Sequence, residues 1–356
     1  MMTTMTSADA EIKKALDDTR ALVLAAGFGT RLRPITEDMP KPLLPVVARP
    51  LIEQALAILN AAGIKHVAIN AHYHAESLLE AFAKGTRFDQ KVTISHEKPN
   101  ILGTGGAIKK LEDFLSASDP FIVCNGDTLS KPDLRQLIDE HKRSGAMATM
   151  MLRRDRRALR FGTVKVDGDG AVVDIAGRLE RRGENEGLFI GVHAISPEIF
   201  QHMPTGESFC INADVYLPLL TQSPGSVRAV FTDTPFFDMG TPDDYAAAQF
   251  VAMEQKPCPF PGAIFGLTEG PTGVFVSPGA RVDGSATLNG PCAVCDGAVI
   301  EKNVEIGPEI VIGAQARIKE GCRIARSIVM PGCIVEKPKR KLWRRIIGSD
   351  FALPID

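Results

Sequence analysis

From Arg20 to about Met253, short apolar runs alternate with amphipathic stretches. Ala21–Leu24, Val67–Ile69, Val92–Ile94 and Phe121–Cys124 are free of charge and have strand length. Between them Leu51, Ile52, Ala55, Leu56 and Leu59 recur at three- and four-residue steps, as do Leu78, Leu79 and Phe82, which predicts helices. Apolar strands separated by helices predict an α/β fold, a Rossmann-like and mostly parallel sheet flanked by helices. In such sheets ligands bind beyond the carboxyl ends of the strands, so the loops after Leu24 and Cys124 are where chemistry is expected. The texture changes near Ala148. Thr163–Val166, the turn Asp167–Gly170 and Ala171–Val173 read as a hairpin within a β-rich substrate subdomain at about 148–210.

Proline and glycine then crowd residues 254–273, at Pro257, Pro259, Pro261, Gly262, Gly266, Gly270, Pro271 and Gly273, which marks a linker. A strict hexad follows, with Val276, Val282, Leu288, Val294, Ile300, Ile306, Ile312, Ile318 and Ile324 in one register. Four residues after each stands a second small or apolar residue, from Ala280 and Ala286 through Cys322 and Ile328. That period is the mark of a parallel β-helix, here resembling the short left-handed kind, about three coils over 274–336. The register slips by one after Ile324, to Val329 and Val335, as expected near a cap. The domain reading is an N-terminal tail (1–19), a main domain (20–253), the linker, the β-helix, and a basic C-terminal tail (337–356).

Composition narrows the classes. The 356 residues carry a formal net charge of -2, so no global basic field argues for a nucleic-acid partner. Met1–Ala10 lacks an apolar signal core and no apolar run has bilayer length, which sets the expectation of a cytoplasmic protein without membrane association. Seven scattered cysteines, an odd number, argue against a disulfide framework. Cys292-x-x-Cys295 has no second pair to complete a zinc site, and Cys292 and Cys322 fall on hexad positions, so packing is the better reading. Hexapeptide β-helices often carry acyltransferase activity with a histidine base. All seven histidines here precede Met203, which excludes that chemistry from the extension.

The strongest local signal is Leu24-Ala25-Ala26-Gly27-Phe28-Gly29-Thr30-Arg31-Leu32-Arg33-Pro34, directly after the first strand. Small residues let the backbone approach a ligand and aim N–H groups at phosphate oxygens, and Arg31 and Arg33 add positive charge. It is neither a Walker A loop, lacking Gly-Lys-Ser/Thr, nor a dinucleotide fingerprint, whose third glycine is replaced by Leu32.

Its continuation, Met39-Pro40-Lys41-Pro42-Leu43-Leu44-Pro45-Val46, resembles the opening motif of the sugar-1-phosphate nucleotidyltransferases, and the stretch Leu102-Gly103-Thr104-Gly105-Gly106-Ala107-Ile108 with the general layout looks most like the mannose- or heptose-1-phosphate guanylyltransferases. Gly103-Thr104-Gly105-Gly106-Ala107, Asn125-Gly126-Asp127, Phe161-Gly162, Gly191-Val192 and Phe237-Asp238-Met239-Gly240-Thr241-Pro242 follow in family order. The resemblance implies a nucleoside triphosphate and a sugar 1-phosphate as substrates and NDP-sugar and pyrophosphate as products. It implies nucleotide binding by Leu24, Ala25, Ala26, Gly27, Gly29 and Thr30, with Gly103, Thr104 and Gly105 against the base. It implies catalytic roles for Arg31, Lys41 and Asp127, Mg2+ on Asp127 and Asp238, and sugar contacts from Gly162, Gly191 and Asn212. Mg2+ takes a few carboxylates plus phosphate oxygens and water, which suits two separate aspartates. GTP with mannose 1-phosphate or a heptose 1-phosphate is the favoured pair. Uridylyl or thymidylyl transfer to N-acetylmuramic acid 1-phosphate or glucose 1-phosphate stays open, as does a non-catalytic NDP-sugar-binding regulatory subunit. A homo-oligomer is expected.

Weaker signals accompany these. Where many relatives carry Glu-Lys-Pro, this chain reads Ala176-Gly177-Arg178, which leaves open whether Arg178 replaces a phosphate-binding lysine. Glu97 is a further pocket candidate. His72 and His74 read as structural. Arg153, Arg154, Arg156, Arg157 and Arg160 suit either an anion or a solvated loop, and the basic tail around Trp343 a β-helix cap, a subunit contact or an anionic surface.

Overall fold

A computed structural model describes residues 18–157, 162–206, 208–255, 258–260, 262–336 and 341–356. Arg160, Phe161, Pro257, Pro261, the tail up to residue 17 and Lys337–Arg340 lie outside the described residues. Packing divides the chain into two compact units, one holding the chain through Phe28 together with Ala55–Phe236, the other Gly29–Gln54 together with Phe237–Asp356. The division by packing thus falls elsewhere than the proline-rich linker, because residues 29–54 and 237–254 group with the β-helix.

In the first unit the apolar runs form β1 (Arg20–Leu24), β2 (His66–Ala71), β3 (Lys91–His96) and β4 (Phe121–Asn125), with parallel pairings β4-β1-β2-β3. Ala21, Leu22 and Val23 are all fully buried, as required of a strand covered on both faces. The helical periodicities appear as α1 (Ile52–Ala61) and α2 (Ala75–Phe82), followed by α3 (Gly103–Lys110). α4 (Leu134–Ser144) is capped by the Asp133 carboxylate, which accepts from the Arg135 and Gln136 amides, and ends on left-handed Gly145. It buries Leu134, Leu137, Ile138 and His141, one stripe at helical spacing.

The predicted β-rich region continues the same sheet. β5 (Ala148–Arg153), β6 (Val164–Val166), β7 (Val172–Ile175), β8 (Asn185–Ile195) and β9 (Val227–Thr232) complete nine strands, ordered β7-β6-β8-β4-β1-β2-β3, with β5 branching from β8 and β9 paired in parallel with β5. β8 runs antiparallel to β4, β5 and β6, so the sheet is mixed. The hairpin turn forms as expected, with the Asp167 carboxylate accepting from the amides of Asp169 and Ala171.

In the second unit the hexad becomes a stack of parallel strands. Val276, Val294, Ile312, Val329 and Ile347 lie in register on one side, Val282, Ile300, Ile318 and Val335 on a second, Leu288, Ile306, Ile324 and Leu342 on a third. All of these but the exposed Val282 fill or border one apolar interior with Ala298, Ala316, Cys292, Cys322 and Cys333. The slip after Ile324 is no cap. It drops one residue from a coil, so Ser327 rather than Ile328 takes the inward slot beside Ile310, and the stack runs on through Leu342–Ile347. The hydroxyl of buried Ser327 is satisfied by donating to the Ala325 carbonyl and accepting from the Arg345 amide. The basic tail is therefore in part another coil of the β-helix, and Trp343 stands exposed on its outside.

Candidate active site

In the first unit β1 ends at Leu24, whose carbonyl accepts the Gly126 amide at 2.8 Å, so the loops after β1 and β4 start side by side. This places Asp127 just beyond β4, where the sequence put it. The loop after β1 is not wholly available to phosphate. The Ala25 amide donates to Asn70 Oδ1 at 2.6 Å, Asn70 Nδ2 donates to Glu97 Oε1 at 2.7 Å, and Glu97 Oε2 accepts the Leu102 amide at 2.8 Å. Glu97 is fully buried and its carboxylate thereby ties the end of β1 to the start of α3. At Ala25 the backbone donor is therefore given to Asn70. Asn70 escaped the sequence reading, although a polar residue closing the apolar run of β2 was a signal for it. Ala26 is buried and Gly27 faces open space.

The glycines opening α3 also have another reason. A Cβ on Gly105 would lie 2.3 Å from the Phe209 ring, and the Gly105 amide donates to the Phe209 carbonyl at 2.9 Å. Thr104 Oγ1 accepts from the Ile211 amide at 3.0 Å. A flat aromatic group does lie against these small residues, but it is the chain's own Phe209. α3 breaks at Leu111, and a single helical turn, Glu112–Leu115, follows it.

Gly191 sits at φ 77° where β8 bulges between Phe189 and His193, and a Cβ there would come within 2.5 Å of Asn125 Nδ2. The bulge thus makes room for the side chain at the end of β4. Asn212 lies in the π-helical turn Ile211–Tyr216, anchored where Tyr216 bonds His193 Nδ1 at 2.6 Å. Its Oδ1 is buried and has no hydrogen-bond partner among the described residues. Gly162 lies against Ala176, in the turn that carries exposed Arg178.

The arginine cluster is mostly committed. Arg153 and Arg157 bond Asp155 and hold its carboxyl down at about 2, while Arg153 also reaches the carbonyls of Asp233 and Thr234, and Arg157 that of Phe236. Arg154 lies over Phe231. His72 Nδ1 stands 3.0 Å from the Glu97 carbonyl and its ring meets Phe28 edge-on, a structural role as expected.

In the second unit Gly29 is left-handed and Thr30–Leu32 make one 3₁₀ turn that turns Arg31 toward Asp238. Asp238 stands between two cations, Arg31 Nη2 at 3.5 Å and Lys41 Nζ at 3.7 Å. The Arg31 side chain is 59% exposed and that of Lys41 only 7%. The sequence named these three residues from distant segments, and the fold brings them together. Among the described residues no group of three or more His, Cys, Asp or Glu is placed to hold a metal ion.

The family follows from the comparisons. The chain matches the model of the nucleotidyl transferase family over residues 20–254 and that of the GMPPB C-terminal domain over 288–352. It belongs to the nucleotidyl transferase family, as a sugar-1-phosphate nucleotidyltransferase. It is 31% identical to a mannose-1-phosphate guanylyltransferase of Mycobacterium tuberculosis, over 89% of this chain and 83% of that one. It is 28% identical to a UTP–glucose-1-phosphate uridylyltransferase of Synechocystis, over 89% of each. Among solved structures, HddC from Yersinia pseudotuberculosis complexed with GMP-PN matches with TM-score 0.55 and 27% identity, over 65% of this chain and 98% of that one.

Proposed function

We propose that the chain transfers a guanylyl group from GTP to mannose 1-phosphate or a heptose 1-phosphate. The observation that supports this most is the Arg31–Asp238–Lys41 cluster, which sets two cations beside one acid. In the reaction a phosphate oxygen of the sugar phosphate attacks the α-phosphorus of the triphosphate, and the α–β anhydride bond breaks. Pyrophosphate carries off the electron pair. No side-chain nucleophile is needed. Nearly buried Lys41 orients and neutralises the sugar phosphate, and exposed Arg31 meets the triphosphate and the departing pyrophosphate. Gly162, Gly191 and Asn212, whose Oδ1 has no hydrogen-bond partner among the described residues, suit a sugar, whose hydroxyls are donors.

Mg2+ is the cofactor of this reading, with Asp127 and Asp238 as its protein ligands. The donors fit: both are hard carboxylates, and the contacts of Asp238 at 3.5 and 3.7 Å are longer than direct charge-assisted bonds of about 2.7–2.9 Å, so its oxygens can be shared. When bound, the ion supplies charge neutralisation on the phosphates. The guanine preference draws on the guanylyltransferase relatives and the GMP-PN-bound neighbour. A cytoplasmic homo-oligomer completes the proposal.

The test is pyrophosphate release from four nucleoside triphosphates against mannose, heptose, glucose and N-acetylmuramic acid 1-phosphates. Preference for GTP with mannose or heptose 1-phosphate supports the reading. Preference for UTP with glucose 1-phosphate moves the chain toward its Synechocystis relative. Tight NDP-sugar binding without turnover in any pair makes it a regulatory subunit.

A further inference from the structure

Val47 is buried at φ 55°, a conformation that a β-branched residue adopts only under constraint. It is the first residue of a two-residue turn joining Pro45–Val46 to Arg49–Pro50, a place normally given to glycine or asparagine. Both backbone groups of Val47, and two of its neighbours', are held from outside the turn. The Val47 amide donates to Gln249 Oε1, and the Ala48 amide donates to the Ala263 carbonyl at 3.0 Å. The Pro45 carbonyl accepts from Tyr245 Oη at 2.7 Å and Gln249 Nε2 at 2.8 Å. The Val47 carbonyl accepts from Cys295 Sγ at 3.3 Å. Tyr245, Gln249 and Cys295 are all buried. Cys295 comes from the β-helix, yet unlike Cys292, Cys322 and Cys333 it is not part of the interior cluster.

The turn lies close to the candidate cations. Lys41 starts the 3₁₀ turn Lys41–Leu43, its carbonyl accepts the Leu44 amide at 3.1 Å, and the hairpin begins at Pro45. Tyr245 and Gln249 sit on α5 (Pro242–Glu254), which begins four residues after Asp238. One helix and one β-helix thiol therefore pin the segment that carries Lys41 to the segment that carries Asp238.

We infer that Cys295 is a positioning residue: by holding Val47 in its left-handed conformation it fixes where Lys41 stands against Asp238. The β-helix is on this account part of the apparatus that sets the phosphate-binding lysine, and assembly is not its only use. The inference rests on Lys41 binding the sugar phosphate as proposed above. Burial pushes the Cys295 thiol up to about 12, so it remains a protonated donor at ordinary pH.

Cys322→Ala is the control, because Cys322 is equally buried and donates to the Val335 carbonyl, within the β-helix. In Cys295→Ala, amide hydrogen exchange should quicken in peptides spanning 41–50, and KM for the sugar phosphate should rise about fivefold, with kcat within about twofold. Cys322→Ala should change neither. Glycine adopts φ 55° without strain, so in a Val47→Gly background Cys295→Ala should have no further effect on exchange or KM. Should Cys295→Ala not fold, Cys295→Ser and Cys322→Ser take the same comparison, since the shorter C–O bond sets the donor further from its carbonyl. Equal effects at 295 and 322, no effect at 295, or an effect that persists in full in the Val47→Gly background overturns the inference. Exchange is read without substrate, and the Lys41→Met variant checks the lysine's role toward the sugar phosphate separately, so the two readings fail independently.

Discussion

Lys41 keeps its ammonium almost out of water, with a side chain only 7% exposed, while Arg31 on the other side of Asp238 is 59% exposed. A buried cation acts with little screening and an exposed one is largely screened. Lys41→Met should therefore lower kcat/KM by about 10²–10³-fold, and Arg31→Ala by less, in steady-state pyrophosphate release. Equal losses would contradict the burial argument. Asp127→Asn keeps shape and removes charge; turnover should disappear while the melting temperature holds. Near-normal turnover at saturating Mg2+ would remove Asp127 from the mechanism. Gly105→Ala must displace the Phe209 ring, 2.3 Å from the new Cβ, and should cost about 1–3 kcal/mol in urea unfolding.

At the scale of elements, two buried histidines join helices to the sheet. His141 on α4 stands 3.0 Å from both Thr149 Oγ1 and Ser196 Oγ, and burial lowers it to about 4. His193 on β8 meets Tyr216 and is lowered by burial to about 3. Both stay neutral when folded, whereas in the unfolded chain each takes a proton near pH 6.5. Their contribution is complete above pH 6.5. It is lost as the pH falls from 6.5 toward 4 and 3, by up to about 1.4 kcal/mol per pH unit for each histidine. Urea midpoints at pH 7.5, 6 and 5 should fall accordingly, and His141→Gln should flatten the slope. A midpoint independent of pH in that window would count against the burial of these rings.

At the scale of the molecule, the proposal makes activity depend on a divalent ion. Chelation should abolish turnover and added Mg2+ restore it, with secondary structure unchanged by circular dichroism. Full activity in excess chelator would deprive Asp238 of its assigned role and leave it as the partner of Lys41 and Arg31. No helix among the described residues is long and apolar enough to cross a membrane.

The local periodicities determined much of this molecule. Three of the charge-free runs became buried parallel strands, because a strand covered on both faces tolerates no charge along its length, while Val92–Ile94 became the partly exposed edge strand. The hexad became the β-helix, because each coil has to bury the same branched positions against the next. Arg31, Lys41, Asp127 and Asp238 were legible because glycine- and proline-rich motifs surround them. Tertiary structure decided what short-range pattern cannot carry. The Gly103–Gly106 stretch reads equally well as a seat for a base, yet Phe209, about a hundred positions away, occupies Gly105. Ala25 looks like a phosphate donor until Asn70 claims its amide. Val47, Gln249 and Cys295 look ordinary in sequence, and only the folded chain sets a carbonyl and an amide of one strained residue against a distant helix and a distant coil. Pairings at such separations depend on where whole elements pack, which no local spacing records.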